Sequence, residues 1–87
     1  MTESSTILLV TGQSRDWADA IEKLAEEYEY RVLKAERMNE AVSMAREAHI
    51  DLVFCEERLE DAQGIDLLRQ FRIFHPYVIR ILVKDSM

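Results

Sequence analysis

Asp51-Leu-Val-Phe-Cys-Glu-Glu-Arg-Leu-Glu-Asp-Ala-Gln-Gly-Ile-Asp-Leu-Leu68 reads, in order, as a strand, a loop and the start of a helix. After its leading aspartate, Asp51 to Cys55 is apolar throughout, as strands buried on both faces of a parallel sheet are. Glu57 to Gln63 is a polar loop that leads through Gly64 into a helix. There Ile65, Leu68 and Phe71 make the inward stripe, with Leu67 and Phe74 widening it. His75-Pro76 ends the helix, because the residue before a proline is pushed out of helical angles.

The same alternation continues on both sides of this stretch. Thr6-Ile-Leu-Leu-Val10 is another continuous apolar run, ended by Thr11-Gly12. A helix is expected from about Asp16 to Glu29, with Trp17, Ile21, Leu24 and Tyr28 at spacings of three and four and Ser14 or Asp16 as its cap. Tyr30 to Ala35 interleaves polar residues, which suits an edge strand. Asn39 is the expected cap of a second helix running to about Ala48, with Ala41, Val42, Ala45 and Ala48 on one face. Tyr77 to Val83 is a fourth strand. The order βαβαβαβ calls for a doubly wound α/β domain, with a parallel sheet, right-handed crossovers and helices on both faces.

Composition narrows the class. The 87 residues suffice for one domain, taken to span 1–87, and a chain this short buries only about 60–65% of its unfolded surface. A net charge of −6 and scattered basic residues argue against a nucleic-acid partner. No apolar stretch reaches the roughly 20 residues of a membrane span, and Met1 to Ser5 has no basic leader, so a cytoplasmic setting is expected. Cys55 has no second cysteine to pair with and sits in an apolar run, where inert packing is expected.

From Ile7 to about Lys84 the chain resembles the receiver domain of two-component response regulators. The resemblance rests on the aspartate-led strand from Asp51, on Leu59 and Gly64 three and eight residues beyond Glu56, on Ile7 to Val10, and on Pro76 to Leu82. It implies a flavodoxin-like sheet in the order 2-1-3-4, with the first helix on one face and the other two opposite. It also implies where a phosphorylation site would stand. The family's phosphorylated aspartate falls on Glu56, its metal-binding acidic pair on Thr11 and Gly12, and its hydroxyl residue on Lys84, or on Val83 if the alignment slips by one. The family's fifth strand, its lysine and its last helix have no counterpart before Met87.

Magnesium wants near-octahedral oxygen ligation including carboxylates, and phosphoryl transfer wants the developing charge neutralised. With the acidic pair, hydroxyl and lysine all absent, neither phosphorylation nor a metal or other cofactor is expected. Glu56 is either a mimic of a phosphorylated aspartate or a tolerated polar residue. Lys84 either pairs with Glu56 or points into solvent. Glu56-Glu57 and Glu60-Asp61 lack the spacing of a calcium loop and read as a solvated loop. His49 and His75 fall at helix ends without a second ligand at metal spacing. An enzyme would need a nucleophile beside a base, and Thr11 with Glu56 is the one candidate pair; a non-enzyme is expected.

The fourth strand is expected to be an edge. Val78, Ile79, Ile81 and Val83 are expected to lie at an interface, because an apolar edge is a template for pairing. A homodimer follows, besides a protein partner or output domain. The function expected is that of a phosphorylation-independent receiver-like interaction module at the N-terminal end of a response regulator. The alternative is a structural adaptor or dimerisation domain on the same fold, without signalling input.

Overall fold

The computed structural model of the chain describes residues 5–12 and 15–84. The elements are β1 (Thr6–Val10), α1 (Asp16–Glu27), β2 (Arg31–Ala35), α2 (Met38–Glu47), β3 (Leu52–Glu56), α3 (Gly64–Phe74) and β4 (Ile79–Val83). All strand pairs are parallel, in the order β2-β1-β3-β4. That is the doubly wound arrangement the alternation demands. β1 lies between two neighbours, with Val10 beside both Ala35 and Cys55, and each of its five residues is buried.

Alternation along the strands divides the core into two layers. Ile7 and Leu9 pack with Ala18 and Ala25 of α1. Leu8, Val10, Val53 and Cys55 pack on the opposite face with Ala41 and Ala45 of α2 and Leu67 and Phe71 of α3. Phe71 is almost fully enclosed. Truncating such a residue to alanine costs about 3–5 kcal/mol.

The helices seat themselves differently from their expected stripes. In α1 the residues against the sheet are Ala18 and Ala25. Trp17 and Ile21 are half-buried beside them, while Leu24 and Tyr28 are 56% and 63% exposed. Small residues let the helix approach closely, so the larger apolar side chains form a flank. In α3, Leu67, Leu68 and Phe71 are buried, whereas Ile65 and Phe74 are exposed. Its inward face is thus rotated towards Leu67.

The caps also come from elsewhere. Ser14 lies outside the described residues, and Asp16 is already the first residue of α1, after Arg15. Asn39 stands inside α2, whose N-terminal amides are met by two carboxylates. Glu40 Oε1 accepts from the N–H groups of Glu36 and Arg37 at 3.1 and 3.0 Å. Asp61, from the β3–α3 loop, accepts from Met38 and Asn39 at 2.8 and 3.4 Å.

α1 ends in a Schellman turn, with Tyr30 N–H donating to Ala25 and Glu29 N–H to Glu26. This places Glu29 at φ 59°, a left-handed position held by a residue with a Cβ. That conformation costs roughly 1–2 kcal/mol for a non-glycine residue. Glu29→Gly is expected to raise the unfolding free energy by about 0.5–1 kcal/mol, the strain relieved exceeding the unfolded-state entropy added. Urea denaturation measures it, and an unchanged or lower midpoint would contradict the strain assigned to Glu29.

Candidate functional site

In open parallel sheets ligands bind beyond the carboxyl ends of the strands. Here those ends bring together Thr11 and Gly12 after β1 and Glu56 at the end of β3, with Lys84 following β4. Glu56 Oε2 accepts from the backbone N–H of Gly12 at 2.7 Å and from the indole N–H of Trp17 at 3.1 Å. The carboxylate therefore ties the end of β3 to the turn after β1 and to the first helix. Two charge-assisted bonds of this kind are stronger than neutral ones. Trp17 also packs against Phe54, with ring centroids 6.3 Å apart. Its polar use here was invisible to a reading that counted it as apolar.

Gly12 stands so close to the β3–α3 loop that a Cβ on it would collide with the carbonyl oxygen of Arg58 and come within 3.4 Å of Glu56 Oε1. Gly64 is confined in the same way against the carbonyl of Glu56, with Cys55 Sγ 3.2 Å from the place of its Cβ. Neither glycine has a positive φ. Both are required by close approach.

The loop between β3 and α3 is ordered by its own bonds. Leu59 N–H donates to Ala62 at 2.9 Å, Gly64 N–H to Glu57 at 2.8 Å, and Arg58 and Gln63 form an antiparallel bridge. Its acids are engaged. Glu60 meets Arg37 at 2.7 Å and Asp61 caps α2, both from exposed positions in the loop. The Met38 N–H holds the Asp61 carboxyl below its usual value, with lesser help from the Asn39 N–H and Arg37.

Lys84 is exposed and joins none of the ion pairs among the described residues. The Lys84–Glu56 bridge is not formed, because the carboxylate is turned towards Gly12 and Trp17. Thr11 is only 7% exposed, which withdraws its hydroxyl from any incoming substrate. Burial, reinforced by the charge of Glu56, pushes the Cys55 thiol up to about 12, so it is inert as a nucleophile at neutral pH. The histidines lie apart from this edge. His49 stacks on Tyr77 at 5.1 Å and meets Asp51 at 3.2 Å, and His75 is edge-on to Tyr77 at 6.3 Å. Among the described residues no group of three or more His, Cys, Asp or Glu is placed to hold a metal ion.

Among the described residues β4 is the edge strand, beside β3. Ile79, Ile81 and Val83 pair with Leu52, Phe54 and Glu56 on the α1 side of the sheet. Ile79 is 63% exposed, and Ile81 and Val83 are half-buried. Val78 differs: it is 3% exposed and packs in the chain's own core, so its side chain has no free surface to offer a partner. A shallow apolar trough of about 240 Å³ lies between α1 and the sheet, with Leu24, Tyr28, Leu52 and Phe54 in its walls.

A parallel sheet in this order is the flavodoxin-like arrangement that receiver domains share. The family description of the response regulator receiver domain matches residues 7–85. The chain belongs to that family, whose members are regulatory signalling domains. It is 26% identical over 82 residues to the hydrogenase transcriptional regulatory protein HoxA of Cupriavidus necator, covering 94% of this chain and 17% of that protein. Similar solved structures include a CheY-like receiver protein of Methanospirillum hungatei, with TM-score 0.84, 21% identity, and 98% of this chain and 67% of that one covered. Another is the signal receiver domain of an HD domain-containing protein of Pseudomonas fluorescens, with TM-score 0.83, 24% identity, and 94% and 60% covered. No helix among the described residues is long and apolar enough to cross a membrane.

Gly12→Asp, which places a carboxylate beside Glu56, is expected to destabilise the fold by about 1–3 kcal/mol through overpacking against Arg58. Added magnesium is expected not to restore the loss. A stable variant whose melting temperature rises with magnesium would show that the two loops part easily. For Asp61, the folded-state value lies below the unfolded one, so its contribution is present at neutral pH and fades as pH falls. Asp61→Ala is expected to lower the melting temperature at pH 7, with the gap to the parent narrowing through the carboxylate range. A gap independent of pH would remove the cap from the account.

Proposed function

We propose that this receiver domain works as a phosphorylation-independent protein-interaction module, without catalysis of its own, in the cytoplasm. The observation that carries the proposal is the closed end of the sheet. The acceptor position holds Glu56, whose carboxylate is bonded to Gly12 and Trp17, and Gly12 is pressed against Arg58 where a metal-binding side chain would have to stand. A metal would find one carboxylate, already engaged, and no hydroxyl at Lys84 to meet a phosphoryl oxygen. Glu56 thus acts as a built-in anion that fixes one state. The adaptor reading shares this site and differs only in what lies upstream of it.

The test is chemical. After incubation with acetyl phosphate and magnesium, intact-mass spectrometry is expected to show no added phosphoryl group. Glu56→Asp alone is expected to stay unmodified, since Thr11, Gly12 and Lys84 are unchanged. An adduct on the parent chain would overturn the proposal.

The second part of the proposal is homodimerisation through β4. Ile79 donates to Asp51 and Val83 accepts from Glu57, so by strand alternation the N–H and C=O groups of Arg80 and Leu82 point away from β3. Antiparallel pairing across a two-fold axis would use both the edge and the exposed Ile79, Ile81 and Val83. Light scattering at micromolar concentration is expected to give twice the 10.2 kDa chain mass. Arg80→Pro, which removes an outward donor and no bond to β3, is expected to return it to the monomer. A monomeric parent chain would contradict this part and leave the chemical part standing.

A further inference from the structure

Besides the trough beside α1, the molecule has a larger groove on the opposite face. It lies between α2 and α3, encloses about 390 Å³, and has Val42, Ala45, Phe71 and Phe74 as apolar walls with Arg46 and His75 among its lining. We infer that this groove is a docking site for an acidic amphipathic helix of a protein partner. The inference does not depend on the closed phosphorylation site or on pairing through β4.

Shape is the first support. The small side chain of Ala45 stands on the α2 wall of the seam, and since Ala45 and Phe71 are themselves buried the apolar surface open to a partner comes chiefly from Phe74. The helices that flank it have 10 and 11 residues. The groove itself is lined from Val42 to Arg46 on α2 and from Gln70 to His75 on the α3 side, roughly 6–8 Å at 1.5 Å per residue, or about one and a half turns of a bound helix. A helix laid in such a groove presents apolar anchors at i, i+3 or i+4, and i+7. Phe74, at the lip, is 69% exposed, and its neighbour Ile73 is 68% exposed, so the C-terminal turn of α3 already carries apolar surface towards solvent.

Charge selects the partner. Arg46 is exposed and joins none of the ion pairs among the described residues, so its guanidinium is available to an incoming carboxylate. Of the chain's 17 acidic residues, Asp66 alone falls between Gly64 and Lys84, where Arg69, Arg72, Arg80 and Lys84 also lie. Asp66 is itself engaged by Arg69 at 3.5 Å. The groove's own lining contains Arg46 and no carboxylate, on a protein whose net charge is −6. An acidic helix with leucine or phenylalanine anchors matches it, whereas a basic one meets Arg46 head-on.

The test uses the full chain, labelled with ¹⁵N, and two synthetic 15-residue helical peptides that carry Leu and Phe at i, i+3, i+4 and i+7. One has glutamate at the remaining exposed positions and the other lysine. The acidic peptide is expected to shift amide signals of Val42, Ala45, Arg46, Gln70, Phe74 and His75. The lysine peptide is expected to bind at least about tenfold more weakly, a difference of about 1.4 kcal/mol. Arg46→Glu, a change at an exposed position, is expected to reverse that preference while leaving the melting temperature near the parent value. Phe74→Ser is expected to weaken both peptides. Equal binding of the two peptides, shifts centred on Leu24 and Tyr28, or no shifts at millimolar peptide would each overturn the inference. So would finding the groove residues already broadened by a second copy of the chain in the absence of peptide.

Discussion

Two backbone approaches with no room for a side chain hold the functional end of this domain together. The carbonyl of Arg58 lies where a Cβ on Gly12 would have to be, and the carbonyl of Glu56 lies where one on Gly64 would be. Because both glycines press on the same short segment, the ends of β1 and β3 and the start of α3 form one close-packed unit. Within it the Glu56 carboxylate finds a backbone amide and an indole as donors. Asp61 and Glu60, on the loop that follows, extend the unit to α2 and Arg37. The loops around the end of the sheet are thus joined by charged groups belonging to the chain itself.

Under the proposed function, that arrangement lets a member of the receiver family keep the fold without the phosphoryl-transfer reaction. On that reading the negative charge a phosphoryl group would bring is supplied by the Glu56 carboxylate, whose donors include the main-chain N–H of Gly12 and the indole of Trp17. What remains variable is the surface. The two faces of the sheet are unequally covered, with one helix over the first and two over the second. On the first face, Ile79 is left largely in water. On the second, the seam between the two helices stays open. A domain with a fixed site and open apolar surfaces is suited to holding partners.

Much of the fold was legible because it is written in continuous runs. Ile7 to Val10 and Leu52 to Cys55 have to be central parallel strands, since aliphatic residues on both faces require cover on both. The register of Glu56, Leu59 and Gly64 located the end of the third strand. The helix faces were harder. In α1 the stripe of large residues drew the eye, yet Ala18 and Ala25 make the closest contact, because proximity to a sheet favours small side chains. The capping of α2 was illegible for a different reason: its acceptor, Asp61, is 23 residues from Met38 and meets it only after the sheet has formed. At the site, the position of Glu56 could be read, but its donors could not. Nothing in the sequence distinguishes an indole N–H aimed at a carboxylate from an indole buried for its area. Val78 shows the same limit, since alternation assigns a face but not what already covers it.

The central claim is that the end of the sheet is closed to metal and phosphate by the chain's own groups. A magnesium titration followed by ¹H–¹⁵N spectra tests it most directly, reading the amides of Gly12, Glu56 and Arg58 and the indole N–H of Trp17. The account predicts that these signals stay in place up to millimolar magnesium, with the Gly12 amide slow to exchange because it donates to Glu56. Saturable shifts confined to those four groups would mean that the carboxylate releases Gly12 and Trp17 to take up a cation, and would contradict it.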